Sequence, residues 1–154
     1  MSVRLVTMAP EHLEAVAALE FRVARRPWTR AGFSEELAAA GCCRVALDSS
    51  GTAVGYVIAR LMAGEMHLLN LGVDVSRRRQ GVARTLVEAV IEQTRRHHGR
   101  CLILEVRDSN VPAWRLYHQM GFVEIGRRKG YYPSTPKPED AVVMRLMLEE
   151  EKHG

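Results

Sequence analysis

The stretch Ser-Arg-Arg-Arg-Gln-Gly-Val-Ala-Arg at residues 76–84 sets four arginines around one glycine, just before a segment with helical apolar spacing. Like charges at this density repel, so their gathering calls for an anion or for full solvation. The first N–H groups of a helix lack intrahelical acceptors and together carry roughly half a positive charge. Gly81, with no Cβ, lets that backbone approach a phosphate. The turn lacks the Gly-Lys-Ser/Thr of a nucleotide P-loop and the three glycines of a dinucleotide fingerprint. Two readings of these residues stand: a cradle for a ligand with several phosphates, and a solvated basic face capping a helix. Further along, Glu105 lies near the end of the apolar run Cys-Leu-Ile-Leu-Glu-Val and reads as a strand-end carboxylate paired with Arg107 or solvent. Tyr117 falls on the inward face of a helical pattern, where an amphipathic tyrosine packs its ring and hydrogen-bonds its hydroxyl.

The elements that must position these groups follow from periodicity. Residues 3–8 alternate like a strand, and Pro10 then opens a helix whose apolar face is Leu13, Val16, Ala17 and Phe21. The pattern breaks at Pro27, restarts with Thr29 as N-cap and stops at Gly41. Strands are predicted at residues 43–48, 53–61 and 66–73, with turns at Asp-Ser-Ser-Gly-Thr and near Gly64. From Gly81 onward, Val82, Leu86, Val87, Val90 and Ile91 mark one face of a long helix with Gly99 as its C-cap. The run at 101–106 is continuous enough for a central strand. A helix capped by Asn110 follows, with Ala113, Leu116, Tyr117 and Met120 on one face and Gly121 as its stop. Two closing strands complete the order, which describes an α/β fold with a mixed, mostly antiparallel central sheet flanked by helices.

The chain has 154 residues, of which 47% are hydrophobic and 26% charged, so we expect one domain spanning 1–154 with one core. The formal net charge of +4 suits an anionic ligand, nucleic acid or neither. The N-terminal residues lack the apolar run of a secretory signal, and no stretch approaches the ~20 apolar residues of a membrane span. Cys42, Cys43 and Cys101 have no metal-like spacing and read as reduced thiols in a cytoplasmic protein. The histidines show no metal-ligand pattern either, and the acidic tail reads as a solvated terminus.

Arg78-x-x-Gly81-x-Ala83 resembles the Arg/Gln-x-x-Gly-x-Gly/Ala signature of the GCN5-related N-acetyltransferases (the GNAT superfamily). Asn110 to Phe122 resembles that family's Asn-x-x-Ala-x-x-Leu-Tyr-x-x-x-Gly-Phe segment at every named position. Leu-Glu-Val-Arg (104–107), Gly-Tyr-Tyr-Pro (130–133), the Glu-Asp-Ala strand entry and Arg-Arg-Pro-Trp-Thr (25–29) are similar to the ribosomal-protein-alanine N-acetyltransferases, the RimI type. Gly72 departs from the alanine more usual in relatives. The prolines of Ser-Thr-Pro-Lys-Pro-Glu-Asp stiffen a loop expected to touch the acceptor.

The resemblance implies a GNAT fold and direct acetyl transfer from acetyl-CoA to a protein α-amine, with no metal. The implied acceptor is the N-terminal alanine of small-subunit ribosomal protein 18, with no direct nucleic-acid or membrane partner. Arg78, Arg79, Gln80, Gly81, Val82, Ala83 and Arg84 would cradle the coenzyme's pyrophosphate. Leu71, Gly72 and Val73 would offer strand backbone to the pantetheine and thioester, and Asn110 a further coenzyme contact. Glu105 would act as base, working through one water, and Tyr117 as the acid that protonates the thiolate. Trp28, Tyr131 and Tyr132 are candidates to wall the peptide groove, and Glu35, Glu65 and Glu139 to meet its cations. A related enzyme with broader N-terminal, lysine or small-amine acceptors is the alternative. A non-catalytic RNA- or ribosome-binding domain is a more distant one.

Overall fold

The computed structural model describes residues 2–39, 41–133 and 137–148. Ser134, Thr135 and Pro136 of the proline-stiffened loop, and the acidic tail, lie outside the described residues. The elements are β1 (Arg4–Thr7), α1 (Leu13–Val23, entered through a 3-10 turn at Pro10–His12), α2 (Arg30–Ala38), β2 (Cys42–Leu47), β3 (Ala53–Met62), β4 (Glu65–Val73), α3 (Val82–Arg96), β5 (Cys101–Arg107), α4 (Val111–Gln119), β6 (Val123–Tyr132) and β7 (Glu139–Met147). They form a mixed, mostly antiparallel sheet of strand order β1-β2-β3-β4-β5-β7-β6. The chain divides into two compact units: residues 1–61 with 68–93, and residues 62–67 with 94–154.

In the first unit β1, β2 and β3 pair antiparallel, with Val6 opposite Val45 and Val45 opposite Tyr56. Met8, Leu13, Val16, Leu19, Phe33, Cys43, Val45, Tyr56 and Ile58 form its core, with Trp28 packed against them. Thr29 caps α2 through its hydroxyl, which accepts from the Gly32 N–H at 3.2 Å. Phe21, expected on the inner face of α1, is 75% exposed, and Leu19 and Glu20 are buried instead. At ~100° per residue Phe21 lies well round the helix from Val16 and Leu19. The position on the apolar side goes to Glu20 because three donors from elsewhere in the unit meet its carboxyl group.

The face predicted for α3 is the buried one: Val82, Leu86, Val87, Val90 and Ile91 are at most 9% exposed. Val82 and Leu86 pack against the backbone of β3 at Gly55. The helix closes differently from expectation. His98, with φ +57°, takes the left-handed position, and the Gly99 N–H returns to the Thr94 carbonyl at 2.9 Å.

In the second unit β5 pairs in parallel with the start of β4 and antiparallel with β7, whose other edge holds β6. Leu102, Leu104 and Val106 of β5 are buried, so Ile103, Glu105 and Arg107 share the opposite face. Asn110 caps α4, its side-chain oxygen accepting from the Ala113 N–H at 3.3 Å. Strand β6 runs further than expected, through Lys129, Gly130, Tyr131 and Tyr132, and the tyrosines end a strand where the sequence suggested a loop. Register shifts on either side of Gly126–Arg128 accommodate the extra length.

Candidate active site

The basic turn is built from the inside of the first unit. Asp48, in the β2–β3 turn, accepts from the Ser50 and Thr52 N–H groups at 2.9 Å each. Those bonds, chiefly the one from Thr52, lower its pKa, with the Arg77 guanidinium adding to the effect. The Arg77–Asp48 pair closes at 3.2 Å with both side chains about 15% exposed (15% and 14%). Asp74 caps the short 3-10 turn Val75–Arg77 by accepting from the Ser76 N–H at 3.0 Å. Arg84 pairs with Glu88 one turn along α3 at 3.0 Å. Two of the four arginines are thus neutralised within the protein, and the charge left to a ligand is that of Arg78 and Arg79, both exposed.

Backbone geometry suits the same use. Arg79 (φ +64°) and Gly81 (φ +81°) both turn left-handed, and Gly81 leads directly into α3. The first helical bond is Thr85 N–H to the Gly81 carbonyl at 3.0 Å. The N–H groups of Val82, Ala83 and Arg84 therefore have no acceptor inside the helix. No atom lies within 4 Å of where a Gly81 Cβ would stand, so a ligand can approach there unobstructed. Gln80 reaches back to the Ser76 carbonyl at 3.4 Å.

Upstream of the turn, Leu71 and Val73 are half-buried and Gly72 buried on β4. Gly72 has a physical explanation: a Cβ there would overlap the Tyr56 hydroxyl and lie 2.8 Å from its Cε1. Trp28 is half-buried, its ring centroid 5.2 Å from that of Phe33 and its backbone N–H donating to Glu20 Oε2 at 3.0 Å.

The titratable candidates sit in the second unit. Glu105 pairs with Arg128 of β6 at 3.0 Å, not with Arg107, because Arg128 reaches across β7 on the same face. Arg107 is held by Glu139 at 3.4 Å and lies 4.2 Å from the centroid of the Tyr132 ring. Arg128 stands 5.2 Å over the Tyr131 ring, and the two tyrosine rings meet edge to face at 5.1 Å. Burial raises the Tyr132 pKa, and the Glu105 charge adds to it. Tyr117 is 6% exposed, edge to face with Phe122 at 5.7 Å. Burial pushes its phenol well above the ordinary tyrosine range, and Tyr132 contributes further. The Tyr117 hydroxyl donates no hydrogen bond among the described residues, and the one fully buried, unpartnered side-chain polar atom among them is Arg145 Nε. Burial thus holds the phenol in its protonated form. Glu105, Tyr117, Tyr131 and Tyr132 are brought together by β5, α4 and β6, with Asn110 at the start of α4.

Sequence reasoning missed Arg128 as the partner of Glu105, since nothing local announces a pair formed across a third strand. It also missed Glu20, whose partners are distant in sequence. Glu139 is engaged by Arg107 and by the Ser109 N–H, and Glu65 by the Cys101 thiol at 3.6 Å. Cys42, Cys43 and Cys101 are buried and free, with burial raising each pKa, that of Cys43 to about 11. Such thiols are poor nucleophiles. Among the described residues no cluster of His, Cys, Asp or Glu is arranged to hold a metal, and no helix is long and apolar enough to cross a membrane.

The first unit thus presents an unobstructed helix start beside exposed arginines, and the second unit a carboxylate and a buried phenol. The acetyltransferase (GNAT) family model matches residues 13–122, and the chain belongs to that family. It is 34% identical over 136 residues to the [ribosomal protein bS18]-alanine N-acetyltransferase of Escherichia coli K12, covering 88% of this chain and 91% of that one. The crystal structure of the ribosomal-protein-S18-alanine N-acetyltransferase from Escherichia coli superposes with a TM-score of 0.89, 29% identity and 98% coverage of both chains. Arabidopsis thaliana NAA60 in complex with acetyl-CoA shares the fold, with a TM-score of 0.87, at 19% identity and with 96% and 99% coverage.

Proposed function

We propose that this chain, acting as one N-acetyltransferase domain in the cytoplasm, acetylates the α-amine of a protein N-terminus, the N-terminal alanine of ribosomal protein bS18 above all. The observation that carries the reading is the 34% identity, spread over nine-tenths of both chains, to an enzyme bearing that name. Acetyl-CoA, when bound, supplies the activated acetyl thioester. Arg78, Arg79 and the open N–H groups of Val82, Ala83 and Arg84 suit its pyrophosphate, as charge-assisted donors do. Leu71, Gly72 and Val73 offer backbone to the pantetheine arm and an N–H to the thioester oxygen.

A peptide α-amine, with a pKa of ~7.7–8.0, surrenders its proton far more readily than lysine at ~10.4. Glu105 accepts that proton through one water, with Arg128 orienting its carboxylate. Tyr117 donates a proton to the departing sulfur. A phenol raised above its ordinary pKa stays protonated at neutral pH, so the acid form is always present; positioning must then offset its reluctance to release the proton. Trp28, Tyr131 and Tyr132 wall the peptide, and Asn110 adds a coenzyme contact beyond its capping bond.

Mass spectrometry of three peptides after incubation with acetyl-CoA tests the reading. An Ala-initiated basic peptide should gain one acetyl group, while its N-blocked twin and a Met-initiated peptide gain none. Transfer to the blocked twin would assign the chain to lysine acceptors.

A further inference from the structure

Glu20 is 1% exposed in the core of the first unit, where an unmet carboxyl group would be costly. Its Oε2 accepts from Asn70 Nδ2 at 2.7 Å and from the Trp28 N–H at 3.0 Å. Its Oε1 accepts from the Tyr56 hydroxyl. The three donors come from three different places: the turn between α1 and α2, the middle of β3, and β4 two residues before Gly72. The Tyr56 ring fills the space beside Gly72 that a Cβ would need. The Trp28 backbone N–H lies between α1 and α2, and its bond to Glu20 joins the packing of the Trp28 ring on Phe33 in tying this turn to the core.

We infer that Glu20 is a positioning residue: it locks the Trp28 turn to the Asn70–Gly72 segment of β4, fixing the acceptor-side wall against the strand that presents the thioester. The inference rests on the acceptor role proposed for Trp28 and the thioester role proposed for β4. Glu20 touches neither reactant, so its effect falls on the geometry in which the peptide is held and not on coenzyme affinity. The donors also explain why no other residue type suits the site. Glutamine would bring its own N–H2 toward a position already filled by a donor, and an aliphatic side chain would leave three donors unmet.

The test uses Glu20→Gln and, should that variant fold poorly, Glu20→Asp, which keeps the carboxyl group but draws it back from the Trp28 N–H and the other two donors. Three readouts are taken on the full chain: amide exchange of residues 24–29, coenzyme affinity by calorimetry, and steady-state kinetics with the Ala-initiated peptide. Loss of a hydrogen bond to a carboxylate should accelerate exchange in the turn about tenfold or more. Peptide KM should rise at least about fivefold, while kcat and coenzyme Kd stay within about twofold. Unchanged exchange at 24–29, or equal losses in coenzyme and peptide binding, would overturn the inference. If the wild-type chain acetylates no peptide, the functional reading falls, and the exchange measurement alone decides whether Glu20 locks the turn.

Discussion

Substituting Gly72 by alanine places a methyl group where the Tyr56 side chain already lies. The added Cβ would overlap the hydroxyl and sit 2.8 Å from Cε1, far inside ordinary contact. Tyr56 has nowhere to go: it is 0% exposed, its ring is edge-on to Phe33 at 5.6 Å, and its hydroxyl is committed to Glu20. Either β4 shifts, at an overpacking cost of ~1–3 kcal/mol, or Tyr56 abandons a carboxylate hydrogen bond worth ~1.5–3 kcal/mol. The cheaper route sets the penalty, so we expect about 2 kcal/mol. At this chain length each kcal/mol moves Tm by about 2–4 °C, giving a fall of roughly 4–8 °C. Thermal and urea melts of Gly72→Ala, Tyr56→Leu and the double variant measure it. Leucine vacates the space the new methyl needs, so the double variant should be at least ~1 kcal/mol more stable than the sum of the single losses. A Gly72→Ala protein melting within about 1 °C of wild type, or strictly additive variants, would refute the steric account of this glycine.

Tyr117→Phe should lower kcat by about 10²-fold or more with coenzyme Kd nearly unchanged, as loss of a general acid does; equal loss of coenzyme binding would make the residue structural. Because the Tyr117 pKa is raised, its acid form persists upward past pH 10, so kcat should show no falling limb from this group between pH 7 and about 10. Glu105→Gln should be slow at neutral pH and partly recover as pH rises through the α-amine pKa of ~7.7–8.0, whereas an unchanged pH profile would remove Glu105 from the base role. Arg78→Ala and Arg79→Ala should each weaken coenzyme binding about tenfold. Arg77→Ala, which breaks the sheltered pair with Asp48, should lower Tm instead, and calorimetry beside thermal melts separates the two effects. Finally, a thiol reagent at pH 8 should find almost no reactive cysteine in the native protein and all three after unfolding, since Cys42, Cys43 and Cys101 are buried with raised pKa values.

What could be read from the sequence was what depends on near neighbours. The α3 face, the Asn110 and Thr29 caps and the turn before Val82 follow from spacing within one or two helical turns. The exposure of Phe21 does not, because the burial of Glu20 depends on Tyr56, 36 residues away, and Asn70, 50 residues away. The partner of Glu105 escaped for a related reason. Arg107 is its near neighbour in sequence, but the register of β6 on β7 delivers Arg128 to the same face and leaves Arg107 to Glu139. The charge of the basic turn was legible as a total and not in its division. Only the folded β2–β3 turn reveals that Asp48 has claimed Arg77, while Arg78 and Arg79 stay exposed. The unusual Gly72 was visible from the start, and its cause, an aromatic ring on the neighbouring strand, was not.

The most direct test of the central claim is the intact mass of ribosomal protein bS18 co-expressed with this chain in a host lacking its own bS18 acetyltransferase. One acetyl group is expected, mapped by fragmentation to the α-amine of the N-terminal alanine, and little or none with Tyr117→Phe. An unmodified N-terminus beside the wild-type chain, or acetyl groups on lysine side chains instead, would contradict it.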